Sequence, residues 1–174
     1  MRFPSGAALS KIRILTFVAL PVLLADYATK RAAVRCLQPP NTPHPVLGRM
    51  VRLTLAYNQQ AVMSLPVGPH ARWVLIGVTL VGLLVLLHLF RGTGAGQRAR
   101  AIGLALIMGG AAGNLLDRLA GSRGVVDFID LGAGTWRFWT FNVADIGIDV
   151  GAALLLMALW RGAAPPAAGG EGGS

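Results

Sequence analysis

Four long apolar stretches, separated by polar or turn-rich segments, dominate the pattern of hydrophobic positions along the chain. They run from about residue 12 to 34, 73 to 90, 99 to 119 and 142 to 160. Each has a length that crosses a bilayer as a helix. The third is rich in glycine and alanine, which let helices pack closely. We therefore predict an all-α membrane protein, a four-transmembrane-helix bundle.

Between the first two stretches the pattern changes to one typical of a strand. Residues 51–57 alternate apolar and polar side chains. Residues 136–141 are a second short candidate strand, or an aromatic belt at the headgroups. We expect a small β-rich extramembrane surface segment at about residues 46–70. Residues 1–161 then form one membrane domain, followed by a disordered, Ala-, Pro- and Gly-rich tail at 162–174.

Composition supports a membrane protein and excludes several other classes. The chain is 54% hydrophobic and only 13% charged, which is too apolar for an ordinary soluble domain. Its net charge of +9 comes from basic residues scattered around the apolar stretches, so we expect contact with membrane lipids and no nucleic acid. The single cysteine excludes an intramolecular disulfide, and the three histidines lack metal-ligand spacing. We expect no metal and no other cofactor.

The distribution of basic residues gives an orientation. Those before the first span, between the second and third, and after the fourth favour cytoplasmic N- and C-termini. The residues that would then lie outside oppose this orientation, and they are Lys30, Arg31, Arg35, Arg49, Arg52 and Arg72. The first span also resembles a secretory signal. Bulky residues before Asp26 argue against cleavage, so an uncleaved span is favoured.

Two of the seven acidic residues, Asp127 and Asp145, are predicted at the outer ends of the spans. Acids beside hydrocarbon are costly and tend to be functional, and such a pair could share one proton and activate a water. Alternatively, Asp145 caps the fourth helix with Asn142, three residues earlier. Asp130 is expected at the surface, and Asp149 lies one turn beyond Asp145 as a further acid.

Two further pairs have the i, i+4 spacing that places side chains on one helix face. Asp26 and Lys30 can form an ion pair, or can position a substrate. Asn114 and Arg118 either point into a polar pocket, or Arg118 pairs with Asp117 where the helix ends. The spacing alone leaves both alternatives open.

Five blocks of this sequence resemble, in order, the motifs of the bacterial lipoprotein signal peptidases, also called signal peptidase II. They are residues 26–30 (DYATK), 57–64 (YNQQAVMS), 109–118 (GGAAGNLLDR), 125–130 (VVDFID) and 141–145 (FNVAD). The last three blocks together are highly specific.

The resemblance implies a membrane aspartic endopeptidase in the bacterial cytoplasmic (inner) membrane, with its site at the periplasmic face. Its substrates would be diacylglyceryl-modified prolipoproteins, cut just before the lipid-modified cysteine. Asp127 and Asp145 would be the catalytic pair. The residues that would shape the site or bind substrate are Asp26, Lys30, Asn58, Asn114, Arg118 and Asn142. We expect a monomer.

Four departures from the family pattern leave alternatives open. Gln60 replaces a glycine, Val62 and Met63 replace an alanine and a phenylalanine, and Asp149 stands where an uncharged residue is expected. A divergent paralogue with a narrower substrate range would fit these changes. A small proton-linked transporter would instead need acids distributed across the bilayer, and a scaffold would need no approach between Asp127 and Asp145.

Overall fold

The computed structural model describes residues 6–59, 70–121, 123–133 and 136–163. The described part begins with one continuous helix made of α1 (Gly6–Ile14), a wider π-type segment (Leu15–Ala19) and α2 (Leu20–Cys36). The other helices are α3 (Ala71–Arg91), α4 (Arg98–Ala120) and α5 (Val143–Ala163). The strands are β1 (Pro43–Leu47), β2 (Val51–Asn58), β3 (Val125–Ala133) and β4 (Trp136–Arg137).

Four of the described helices are long and apolar enough to cross a membrane, which confirms the prediction of four membrane helices. They cover Ser10–Cys36, Ala71–Arg91, Arg98–Ala120 and Val143–Arg161. The chain is therefore an integral membrane protein. Helix α5 includes Gly162 and Ala163, which the sequence assigned to the tail, and the rest of that tail lies outside the described residues.

Helix α4 contacts α2, α3 and α5 and is the most buried of the four membrane helices. Its glycines explain why. A Cβ on Gly103 would lie 2.8 Å from the backbone oxygen of Gly151, and a Cβ on Gly110 would overlap the backbone oxygen of Ala144. The small side chains of α4 thus let the backbone of α5 approach directly, as their frequency in the sequence predicts.

The strands form one antiparallel sheet in the order β1-β2-β3-β4. Strand β2 matches the alternating segment at residues 51–57, and the expected small sheet is confirmed. The sheet differs in extent from the expected segment at 46–70, because it begins at Pro43 and takes β3 from far along the chain. Of residues 136–141, Trp136–Arg137 pair as a strand and Phe141 bridges to Ile129.

Asp130 was expected at the surface, and that expectation is wrong. The residue is only 5% exposed. It pairs with Arg52 of β2 and Arg137 of β4, and Thr54 donates a hydrogen bond to it at 3.0 Å. Burial alone would raise the pKa of Asp130, but the hydrogen bonds from Arg137, Thr54 and Arg52 outweigh it and lower that pKa below its ordinary value. Asp130 therefore links three strands as a carboxylate.

Candidate active site

Asn142, just before α5, is fully buried and hydrogen-bonds both of the carboxylates predicted to be catalytic. Its Nδ2 donates to Asp127 Oδ1 at 2.7 Å and to Asn114 Oδ1 at 3.2 Å. Its backbone N–H donates to Asp145 Oδ2 at 3.1 Å. A single residue thereby connects the acid on β3 with the acid at the start of α5.

Asp145 caps α5 as its spacing predicts, but it also makes a contact that a cap does not need. The backbone N–H of Asp145 donates to Asn142 Oδ1 at 3.0 Å, which completes a reciprocal cap. In addition, Asn114 Nδ2 of α4 donates to Asp145 Oδ1 at 2.8 Å. These donors and the helix N-terminus stabilise negative charge on Asp145.

Asp127 has a different environment. It is only 3% exposed, and the side chains of Asn142 and Asn58 hydrogen-bond it. Burial and the nearby charge of Asp145 raise the pKa of Asp127 to about 7, against the opposing effect of those hydrogen bonds and of Lys30. Asp127 therefore holds its proton up to near neutral pH.

Lys30, which is 3% exposed, forms the centre of a charged network beside the two acids. Its Nζ lies 2.8 Å from Asp26 Oδ2 and 2.9 Å from Asp117 Oδ2, and it donates to Asn114 Oδ1 at 2.8 Å. The predicted pair of Asp26 and Lys30 thus forms. Because Lys30 and Asn142 both donate to Asn114 Oδ1, the amide of Asn114 is oriented with its Nδ2 toward Asp145.

The backbone is tied to the same network at two points. Asp26 Oδ1 accepts the backbone N–H of Ala144 at 2.9 Å, so α2 holds the start of α5. Asp117 Oδ2 accepts the backbone N–H of Val126 at 3.1 Å, so α4 holds β3 beside Asp127. Asp117 was predicted only as a partner of Arg118 at the helix end, so its role in the site was missed. Its position three residues after Asn114, on the same helix face, was the feature that could have indicated this role.

Arg118 is half-buried close to the two carboxylates. Its guanidinium interacts electrostatically with Asp127, Asp117 and Asp145, and its Nη1 donates to the backbone oxygen of Asn114 at 3.3 Å. None of the ion pairs formed within the described ranges involves it. Arg72, which sequence reasoning missed, donates to the backbone oxygens of Arg118 and Leu119 and so holds the end of α4.

The remaining sequence predictions fall outside this cluster. Asp149 is exposed on α5, one turn beyond Asp145. Gln60, Val62 and Met63, the departures from the family pattern, lie outside the described residues. In the part of the chain that the structure describes, no three His, Cys, Asp or Glu side chains are grouped so that they could hold a metal ion.

Comparison with known proteins gives consistent matches over most of the chain. The model of the family described as signal peptidase (SPase) II matches residues 18–161. The lipoprotein signal peptidase of Paraburkholderia phytofirmans (strain DSM 17436 / LMG 22146 / PsJN) is 40% identical over 142 residues, 80% of each chain. That of Mycobacterium avium (strain 104) is 40% identical over 156 residues, 86% of this chain and 79% of the other.

A solved structure gives a match of the same extent. It is described as a bacterial membrane enzyme determined by the in meso method at 2.3 Å resolution. It superposes with a TM-score of 0.73 and 25% identity, covering 87% of this chain and 88% of the other. The range matched by the family model contains both acids and each of their contacts described above.

Proposed function

Because the chain belongs to the signal peptidase II family, we propose that it removes signal peptides from prolipoproteins by aspartic catalysis, with Asp127 and Asp145 acting on one water molecule. The observation that carries this proposal is the double contact of Asn142. Its Nδ2 donates to Asp127 and its backbone N–H donates to Asp145. Together with the influence of the Asp145 charge on Asp127, this contact supports joint action of the two acids on one small molecule.

The two acids have different charge states in this proposal. Asp145 is the carboxylate, supported by the N–H donors of Asn114 and Asn142 and by the start of α5. Asp127 is the acid that carries the proton, in keeping with its burial and its raised pKa of about 7. Environments that keep one member of a pair charged and the other neutral assign the base and the acid.

Hydrolysis then follows in two steps. In the first step Asp145 takes a proton from the water, and the water oxygen bonds to the scissile carbonyl carbon. At the same time Asp127 gives its proton to the carbonyl oxygen. The tetrahedral intermediate collapses when the carbon–nitrogen bond breaks. The leaving amine takes up the proton held by Asp145, and Asp127 regains its proton from the collapsing hydroxyl group. Protons and electrons balance without a further reactant.

The neighbouring polar residues position these groups. Lys30 and Asp26 hold Asn114 and the start of α5 in place, and Asn58 fixes the Asp127 carboxyl. Beyond the hydrogen bond of Arg118 to the Asn114 backbone, we assign its guanidinium donors to a carbonyl of the substrate peptide. In this proposal five residues do not react themselves and instead position the two acids. They are Asp26, Lys30, Asn58, Asn114 and Asn142.

The substrate class follows from the family and the membrane setting. We propose that cleavage occurs just before the diacylglyceryl-modified cysteine, whose acyl chains remain in the bilayer while the peptide reaches the two acids. Each methylene buried in the bilayer contributes about 0.8 kcal/mol to membrane partition, so the acyl chains hold the substrate in the same membrane as the enzyme. The setting we propose is a monomeric four-helix bundle in the bacterial inner membrane, with cytoplasmic termini and the site at the periplasmic face.

The arrangement of acids does not favour a proton-linked transporter. Asp26, Asp117, Asp127 and Asp145 belong to one connected cluster of hydrogen bonds and ion pairs. A relay across the bilayer needs titratable groups at successive depths. One cluster where α2, α4 and α5 meet the sheet suits hydrolysis better.

The direct test measures how fast the Asp127→Asn and Asp145→Asn variants process a diacylglyceryl prolipoprotein in membranes. Each is expected to lower processing by at least about a thousandfold, since each removes one reacting group. Asp149→Asn is the matched control, because it neutralises an exposed acid on the same helix. It is expected to keep nearly full activity. Normal processing by either site variant would contradict the proposal.

A further inference from the structure

Among the described residues, the end of the molecule away from the two acids carries basic side chains that form no ion pair with a carboxylate. The basic residues there are Lys11, Arg13, Arg91, Arg98 and Arg100. Arg98 precedes Asn114 by about 24 Å along α4, from 1.5 Å per residue. Over the described ranges, every ion pair uses Asp26, Asp117 or Asp130, and all three belong to the site or the sheet. These cations are therefore available to bind an anion.

A cavity at this end brings three of the cations together. It has a volume of about 700 Å³ and lies between α1 and the first turn of α4. Its lining contains three basic residues, Lys11, Arg13 and Arg98, and an apolar wall that includes Ile14 and Phe17. No acidic side chain is found among the described residues that line it. The cavity thus combines positive charge with apolar surface.

The cavity lies at the level where apolar helices begin. The membrane-spanning stretches start at Ser10 and Arg98, and both residues line it. Phe17, further along the first helix, is 75% exposed, so the apolar wall faces the lipid. Lys11 donates to the backbone oxygen of Arg91 and thereby fixes its ammonium group in the wall. The start of α4 adds the positive end of a helix dipole.

We propose that this cavity binds the phosphate headgroup of an anionic membrane phospholipid. Arg13, Arg98 and Lys11 hold the phosphate, and Ile14 and Phe17 contact the first part of the acyl chains. Basic pockets between membrane helices are suited to such headgroups. Free phosphate would use the cations alone, so the adjoining lipid-facing apolar wall favours the lipid. This site is separate from the proposed catalytic site.

The experiment measures lipid binding by the full chain in nanodiscs of phosphatidylcholine containing a minor fraction of phosphatidylglycerol. Native mass spectrometry of the released protein gives the ratio of the two lipids retained. The wild type is expected to retain phosphatidylglycerol preferentially. Arg13→Gln and Arg98→Gln are each expected to lower that preference about fivefold. Arg35→Gln removes one exposed positive charge at the far end of α2 and is the matched control, expected to change nothing.

Two further measurements keep the result decisive. A photoreactive phosphatidylglycerol is expected to crosslink the wild type within residues 10–18 or 93–102, and this does not depend on any variant folding. Processing by the variants is expected to stay near wild-type level, because neither arginine contacts the acids. Crosslinks only at the other end, an unchanged preference in both variants, or displacement of the lipid by inorganic phosphate would each overturn the proposal.

Discussion

At the scale of single residues, the proton on Asp127 decides when the proposed pair is active. The ordinary pKa of an aspartate is 3.8, and burial together with the charge of Asp145 raises that of Asp127 to about 7. Asp127 must donate a proton, so the active form is lost as the pH rises through that value. Above it, kcat/KM is expected to fall about tenfold per pH unit.

The measurement is kcat/KM from about pH 5 to pH 9 in detergent or nanodiscs. The loss on the alkaline side should have a midpoint near pH 7. Constant activity up to pH 9, or activity that already falls throughout the range from pH 5, would contradict the assignment of the proton to Asp127.

Lys30 gives a second prediction at this scale, because it compensates two acids at once. Lys30→Met leaves the side chain of Asp26, only 1% exposed, and that of Asp117 without their shared cation. Removing one partner of a buried pair costs about 3–5 kcal/mol. Thermal unfolding in detergent should show a clear destabilisation, whereas Arg35→Met, at an exposed position of the same helix, should show almost none. Equal effects of the two substitutions would contradict a structural role for this network.

At the scale of the elements, the contact between α4 and α5 sets the position of Asp145. A Cβ on Gly110 would overlap the backbone oxygen of Ala144, the residue before Asp145. Gly110→Ala must therefore push the two helices apart, which we expect to cost about 1–3 kcal/mol and to lower processing strongly.

Gly82→Ala on α3 is the control for that substitution, because a Cβ there meets nothing within 4 Å. It should retain both stability and activity, measured by the same unfolding and processing assays. If Gly110→Ala behaves like Gly82→Ala in both assays, close packing of α4 on α5 does not position the acid.

Much of this architecture was predictable from local pattern. Length and hydropathy gave the four membrane helices, and period-two alternation gave β2. Strand β3 was missed as a strand because Val125, Val126, Asp127 and Phe128 are all buried, which removes the alternation. Its partner β2 lies far away in the sequence. The burial of Asp130 was also missed because its partners come from neighbouring strands.

The site was predictable only in pieces. The spacing of Asn142 and Asp145 indicated a cap, and that of Asp26 and Lys30 indicated an ion pair, since both are local contacts. The bond from Asn142 to Asp127 depends on how β3 and α5 pack, and no spacing along one helix encodes it. The resemblance to family motifs, not the residue pattern, grouped these two acids in advance.

At the scale of the whole molecule, the buried acids lie at one end and the cluster of basic residues around the cavity lies at the other. Several basic residues from Lys30 to Arg72 oppose the expected orientation. The structure gives two of them other roles, because Lys30 pairs with acids of the site and Arg52 pairs with Asp130. The basic residues at the other end then favour cytoplasmic termini.

Reporter fusions test this orientation. Alkaline phosphatase fused after Gly121, between α4 and β3, should be active, and a fluorescent protein fused after Arg161 should fluoresce. The reverse pattern would place the two acids at the cytoplasmic face and would contradict the proposed topology.

The central claim is that Asp127 and Asp145 act as a unit, and the double variant Asp127→Asn/Asp145→Asn tests it most directly. Residual kcat/KM would be measured for both single variants and the double variant on one diacylglyceryl prolipoprotein. Residues that act together are strongly non-additive. The account predicts that the double variant is no worse than the poorer single variant, within about a factor of three. The account would be contradicted if the activity loss of the double variant equalled the product of the two single losses. It would also be contradicted if either single variant kept nearly full activity.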